Sequence, residues 1–213
     1  NRDGRSYPPV ENSVDAIVCQ RRKGALKIGD GAPTWEAYTP FAIGGRRDLI
    51  EYRPGSWRNE KVTARSCWDE SGIWFRIEVA KDGHHQPGVE GGTWAGDSIQ
   101  LFIDSLHDAT RNQQNMQDDW GYTFAKTRDG DQAYRGRCPN DQYAWIGIRP
   151  GLEKEIPLIV SRDEERKVTE YQWFMPRKHL APADLRTGNI IGVGLMINLA
   201  SRKDGRYAAL TTS

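Results

Sequence analysis

Short stretches of alternating apolar and polar residues, each closed by turn residues, recur along this chain and leave room for little except extended structure. In residues 98–104, SIQLFID, the side chains of Ile99, Leu101 and Ile103 fall on one side of an extended backbone and Ser98, Gln100, Phe102 and Asp104 on the other. The first side is core. The second sets an amide two residues from an aromatic ring, with Trp94 just ahead, and suits a surface that holds something polar and ring-shaped. Residues 61–68 and 72–80 (KVTARSCW and GIWFRIEVA) flank Asp69, Glu70 and Ser71, which predicts a hairpin. Extended segments are also predicted at 14–18, 25–29, 120–127, 131–137, 143–149, 156–161 and 168–175. The closing run IIGVGLMINLA puts Ile191, Val193, Leu195, Ile197 and Leu199 on one face, and 175–185 allows one short helical turn. Many short strands joined by tight turns, with no long amphipathic helix, predict an all-β fold: an antiparallel β-sandwich, jelly-roll or immunoglobulin-like. A parallel α/β sheet is excluded. Residues 1–13, polar with Pro8 and Pro9, read as a linker or extended arm, and 14–213 as one domain.

Charge narrows the function. Thirty Lys+Arg stand against 29 Asp+Glu, a net charge of +1, so nothing draws nucleic acid or anionic lipid to the surface as a whole. No apolar run approaches the ~20 residues of a membrane span. Cys19, Cys67 and Cys138 lack metal-knuckle or redox spacing and read as small buried side chains, or as one disulfide and a free thiol. The chain has no initial Met and no visible signal peptide, which reads as a processed protein or a domain of a longer one.

Catalytic motifs are missing: there is no GxSxG, HExxH, P-loop or dinucleotide fingerprint. His84 and His85 lie in the Gly-rich loop KDGHHQPGVEGG, predicted to be solvated, and as neighbours they point opposite ways. Asp97 and Asp104 are separated by seven residues of strand, roughly 23 Å, too far for a glycosidase pair needing ~5–10 Å. The tryptophans are more informative. Trp35, Trp68, Trp74, Trp145 and Trp173 sit in apolar surroundings and read as core, whereas Trp57, Trp94 and Trp120 adjoin polar or glycine residues where an indole can stay exposed. A sugar's C–H face fits such a ring, and its hydroxyl rim fits flanking amides and charged groups.

The segment ARSCWDESGIWFRIEVAKD, followed by a loop and WAGDSIQLFID, resembles the family nine carbohydrate-binding modules and their W-x-x-D-S-[VI]-[EQ]-[IL]-F-I-D pattern. LKIGDGAPTW at 26–35 and YQWFMPRKHLAPADLRTGNIIGVGLMINLAS at 171–201 are similar to the opening and closing segments of that family. The resemblance implies a non-catalytic β-sandwich appended to a polysaccharide-processing enzyme, extracellular, periplasmic or cell-surface, that binds saccharides, often at chain ends, between two tryptophans, and carries structural Ca²⁺. It matches Trp94 to one of those tryptophans, Gln100 to a residue that is usually Glu, Asp97 to the turn acid, and Trp120, Tyr122 and Thr123 to a strand of further contacts. The second tryptophan of the family slot has no counterpart, so either Trp120 or Trp57 serves as the partner plate or the slot is missing. Asp30, Asp69, Asp97, Asp104, Asp118 and Asp119, all expected at turns or strand ends, are the candidate calcium ligands. Two other readings compete: a polysaccharide lyase using His84 or His85 with Tyr122, and a haem- or redox-binding relative using Met196 and a histidine.

Overall fold

A computed structural model describes residues 18–44, 48–107, 118–137 and 151–212. The expected arm at 1–13, the strands expected at 14–18 and 143–149, Trp145 and Cys138 lie outside the described residues, apart from Val18, which is not in a strand.

Among the described residues, thirteen strands and one short α-helix follow in chain order: β1 (Gln20–Arg21), α1 (Ala32–Trp35), β2 (Phe41–Ile43), β3 (Leu49–Glu51), β4 (Lys61–Asp69), β5 (Gly72–Ala80), β6 (Ser98–Asp104), β7 (Asp119–Thr127), β8 (Gly130–Arg137), β9 (Gly151–Leu152), β10 (Leu158–Asp163), β11 (Val168–Pro176), β12 (Gly192–Ser201) and β13 (Gly205–Thr211). They form two sheets. The first runs β1-β4-β5-β11-β10, with β2 also on β4; the second runs β3-β13-β12-β6-β7-β8-β9. Every pairing is antiparallel except the two-residue β1–β4 contact. The β4–β5 hairpin turns where the sequence placed it, and Asp69 caps the turn by accepting bonds from the Ser71 N–H and hydroxyl at 2.8 and 2.5 Å.

The core lies between the sheets. β5 contributes Ile73, Phe75, Ile77 and Val79, β6 contributes Ile99, Leu101 and Ile103, and β12 contributes Leu195, Ile197 and Leu199. The β6 and β12 residues are those that the alternation assigned to the core; of the rest of the closing run, Ile191 packs against the core partly buried and Val193 stays 38% exposed at the start of β12. Phe75, Trp173 and Phe124 stack through the centre, with centroids 4.9 and 4.4 Å apart.

Residues 25–29 form no strand. Leu26 joins Trp35, Tyr38, Cys67 and Trp74 in a second apolar cluster on the outer side of the first sheet, with Ile28 and Phe174 against it. Beside it the buried Arg76 guanidinium is held between Glu170 and Glu78, with the Arg76 Nε to Glu170 bond at 3.0 Å. The outer face of the first sheet is therefore covered by apolar residues and ion pairs. The outer face of the second sheet is not.

Candidate functional site

On that open face, Gln100 of β6 lies opposite Met196 of β12 and Thr123 of β7, and Asn198 lies opposite Ser98. The amides are tied together: Asn198 Nδ2 donates to Ser98 Oγ at 3.0 Å and to Gln100 Oε1 at 3.3 Å. Phe102 continues the row, 43% exposed, and its cross-strand neighbours are Gly194 and Gly121. With hydrogen in place of a side chain on both sides, the ring has room to lie along the sheet.

One wall of this floor is the single helical turn Glu90–Ala95, which carries Trp94 at 47% exposure. The turn docks on β8, where Gln132 Oε1 accepts the Glu90 N–H at 2.9 Å. Gln86 stitches it from the other side, its amide nitrogen donating to Thr93 O at 2.8 Å and Asp97 O at 3.0 Å. This explains the glycine after Trp94-Ala95. A Cβ on Gly96 would fall 2.3 Å from Gln86 Oε1, so only glycine lets that amide lie across the turn.

The following Asp97 is 5% exposed. Its carboxylate accepts from Lys81 Nζ at 2.9 Å, the His85 N–H at 2.6 Å and the Ala200 N–H at 2.8 Å, tying the loop, β6 and β12 together. His84 belongs to the same arrangement. It was expected in a solvated loop, but its side chain is only 15% exposed, with Nδ1 3.8 Å from Asp97 Oδ2 and Nε2 3.1 Å from Lys126 O. Burial holds its pKa below the ordinary imidazole value, and Asp97 only partly offsets this.

The other wall comes from residues that the alternation did not single out. The register of β12 and β13 shifts between Leu199 and Ala200: Ala208 pairs with Leu199 but Arg206 pairs with Ala200, so Tyr207 is an extra residue. Tyr207 is consequently buried with its hydroxyl on Glu60 Oε1, while Arg206 shares the face of Asn198, its Nη1 3.3 Å from Asn198 Oδ1. The Arg206 guanidinium carbon lies 4.6 Å from the Trp94 ring centroid and 4.1 Å from that of Tyr52. Tyr52, immediately after β3, is 40% exposed and anchored through its N–H to Tyr207 O at 2.9 Å. Aromatic, cation and aromatic thus succeed one another above a floor of amides.

Of the six residues singled out from sequence, the fold brings Trp94, Gln100 and Thr123 to this face. Asp97 lies beneath it. Trp120 and Tyr122 point the other way: they are 9% and 2% exposed, stack on each other at 6.0 Å in the core, and Trp120 Nε1 donates to Ala181 O at 2.8 Å. Trp57, the other proposed partner plate, packs against the core as well. Tyr52 takes the place across from Trp94; it and Arg206 are the site residues that sequence reasoning missed, with Asn198, 1% exposed, bracing Gln100 and Arg206 from beneath. Among the candidate calcium ligands, only Asp104, Asp118 and Asp119 converge, with carboxylate oxygens within 4.8 Å of one another. Asp69 serves the hairpin and an ion pair with Arg22 at 2.7 Å, and Asp30 accepts the Lys27 N–H at 2.8 Å.

A cavity of about 260 Å³ near the ends of β12 and β13 is lined by none of Trp94, Gln100, Arg206 and Tyr52. It is lined by Arg58, Glu60, Lys81, Asp82, Arg166 and Lys167 among others, and Lys167 pairs with Asp82 at 2.6 Å. It presents no exposed ring, and the aromatic face is the better candidate.

The fold has counterparts of known structure. The chain shares the fold of the family nine carbohydrate-binding modules. A module of that family from Caldicellulosiruptor kristjanssonii, solved in complex with cellotriose, superposes with a TM-score of 0.66 at 12% identity over 91% of this chain and 82% of that one. The same organism's module in complex with glucose gives 0.64 at 13% identity, covering 92% and 84%. A candidate carbohydrate-binding protein from Bacteroides uniformis gives 0.54 at 9% identity, covering 84% and 79%. No protein-family model matches the sequence, and no curated protein does.

Proposed function

We propose that this chain is a non-catalytic carbohydrate-binding module, and that the sugar lies on the outer face of the second sheet against Trp94. The observation that carries this reading is the half-exposed indole beside Arg206 and Tyr52, above the linked amides of Gln100 and Asn198. Rings offer apolar faces to the sugar's C–H groups, and amide and guanidinium groups offer directional bonds to its hydroxyls. Arg206 forms no ion pair among the described residues, so its guanidinium edge is available to donate to ligand oxygens. The cellotriose and glucose complexes of the similar structures make β-glucan chain ends the first ligands to test.

In this reading residues 14–213 act as one domain, joined through the arm at 1–13 to a secreted or cell-surface enzyme that processes polysaccharide. Asp104, Asp118 and Asp119 supply an oxygen-only donor set of the kind Ca²⁺ prefers, and would hold a structural ion where β6 and β7 pair. The competing readings gain nothing from the geometry. Tyr122, the acid of the lyase reading, has its hydroxyl in the core 3.2 Å from His179 Nδ1. Met196 faces Gln100 and Thr211 across its strands, not a histidine.

Isothermal titration with glucose, cellobiose and cellotriose, together with affinity electrophoresis on a polysaccharide panel, tests the proposal. Saturable binding that Trp94→Ala weakens about 5- to 30-fold, the equivalent of ~1–2 kcal/mol of ring contact, is expected. Binding unaltered by Trp94→Ala, or release of reducing or unsaturated ends, would overturn it.

A further inference from the structure

A second group of side chains, unrelated to the sugar face, lies where the turn after β11 meets the edge of the second sheet. His179 is 4% exposed, and its ring is held edge-on by Trp120 and Tyr122, with centroids 6.0 Å away in each case. The Tyr122 hydroxyl is 3.2 Å from Nδ1. Nε2 is buried without a hydrogen-bond partner. It is aimed between two carboxylates that follow β9, 3.9 Å from Glu153 Oε2 and 3.4 Å from Glu155 Oε2, and the three donor atoms lie within 4.8 Å of one another.

We propose that His179, Glu153 and Glu155 form a binding site for a divalent first-row transition ion, with Zn²⁺ the best match to one imidazole and two carboxylates. Zn–N and Zn–O bonds of ~2.0–2.2 Å in a tetrahedron place neighbouring donor atoms about 3.4 Å apart. The Nε2–Glu155 spacing of 3.4 Å already has this value, and the Nε2–Glu153 spacing of 3.9 Å needs a closure of about 0.5 Å to reach it. Ca²⁺ is disfavoured because a nitrogen ligand occupies the fixed corner. Tyr122 stands behind the site with its hydroxyl 3.2 Å from Nδ1; with an ion on Nε2 the ring must carry its proton on Nδ1, and the hydroxyl is placed to accept it. Glu153 is held by Arg135, with Nη1 2.9 Å from Oε1, and this leaves Oε2 turned toward the histidine. Glu155 is more than half exposed, which gives the ion a path in and leaves the fourth position to water.

The site has a built-in competitor. Lys178 pairs with the same Glu155 oxygen that lies nearest the imidazole, but its side chain is 57% exposed and free to swing away. Removing its charge should therefore strengthen metal binding, which a purely structural His–Glu contact would not explain. A bound ion would pin the turn after β11 of the first sheet to the β9 edge of the second, and so raise stability by linkage.

The test uses the full chain stripped with EDTA and then titrated with ZnCl₂ or CoCl₂ alone. Zn²⁺ is expected to raise the melting temperature of the wild type, and Co²⁺ to give visible absorption of tetrahedral type. Both responses should be lost in His179→Gln and in the exposed variant Glu155→Gln, kept in Asp118→Asn, and strengthened severalfold in Lys178→Met. Tyr122→Phe should weaken affinity by on the order of tenfold. A Zn²⁺ response retained in Glu155→Gln, or none in either the wild type or Lys178→Met, would overturn the assignment.

Discussion

Asp97→Asn separates a residue that touches sugar from one that holds the site together. The substitution keeps the size of the side chain and removes its charge. In the native arrangement three donors converge on this carboxylate: the Lys81 ammonium, and the N–H groups of His85 and Ala200 at 2.6 and 2.8 Å. An asparagine can turn its oxygen to one side of this set but must then present an NH₂ group to donors on the other. Lys81, whose side chain is 7% exposed, is left with the Gly83 carbonyl at 3.0 Å as its remaining acceptor. Breaking a buried pair by removing one partner typically costs ~3–5 kcal/mol, a large share of the ~5–15 kcal/mol total of a folded domain. At ~2–4 °C per kcal/mol for a chain of this size, the melting temperature should fall by about 6–20 °C. Urea unfolding followed by tryptophan fluorescence measures the loss, and an unchanged m-value would show that the unfolded reference is the same. The double variant with Lys81→Met removes the stranded charge and should recover ~1–2 kcal/mol as coupling. Sugar affinity of the folded fraction should fall less than in Trp94→Ala. A loss of stability under ~1 kcal/mol, with no recovery in the double variant, would refute the account of Asp97 as a buried pin.

Three further outcomes follow from the geometry. Arg206→Ala should weaken sugar binding and, with two cation–π contacts and one hydrogen bond lost at about 0.5–1 kcal/mol each, should cost about 1.5–3 kcal/mol of stability; calorimetry beside a melt reads both, and equal affinity would remove Arg206 from the site. His84 has a folded pKa below its unfolded value, so the unfolded chain binds more protons once pH falls below about 6.5, and stability should decline in that direction. His84→Gln, which can still donate to Lys126 O, should flatten the slope, as read from melts between pH 7.5 and 5. Ca²⁺ added to the chelator-stripped chain should raise the melting temperature through the Asp104–Asp118–Asp119 group, and Asp118→Asn should abolish that response to Ca²⁺ while sparing the response to Zn²⁺.

Much of this was legible as alternation, because the period of two that puts Ile99, Leu101 and Ile103 inside the sandwich also puts Gln100 and Phe102 outside it. The same rule, applied to β7, separates Trp120, Tyr122 and Phe124 from Gly121, Thr123 and Ala125. The match by resemblance took both sets as contacts, and the pleat allows only one. Residues 25–29 alternate like a strand, but Leu26 and Ile28 cover the Trp35–Trp74 cluster without a sheet partner. Arg206 and Tyr52 were illegible for a different reason. A one-residue bulge re-phases β13, so Arg206, which simple parity groups with the core residues Ala208 and Leu210, emerges on the opposite face. Tyr52 follows a strand of three residues, too short for any pattern to register.

The two outer faces explain why the ligand surface lies where it does. A sandwich presents two, and each must be satisfied by solvent, by side chains or by a partner. On the first sheet, Trp74 and Phe174 are capped by the 26–38 segment, and Arg76 is closed in by Glu78 and Glu170, so neither those rings nor that guanidinium is open to a ligand. On the second sheet the chain does the opposite. Gly121, Gly194 and Ala209 keep the floor low, since each replaces a side chain that would otherwise stand on the sheet. The Trp94 turn rises at one margin, stitched by Gln86 and underpinned by Asp97, and the bulge raises Arg206 toward Tyr52 at the other. The groove is thus made by two local breaks in regular strand structure, a glycine-dependent turn and a bulge. Regularising either one should remove a wall of the site while leaving the core between the sheets intact.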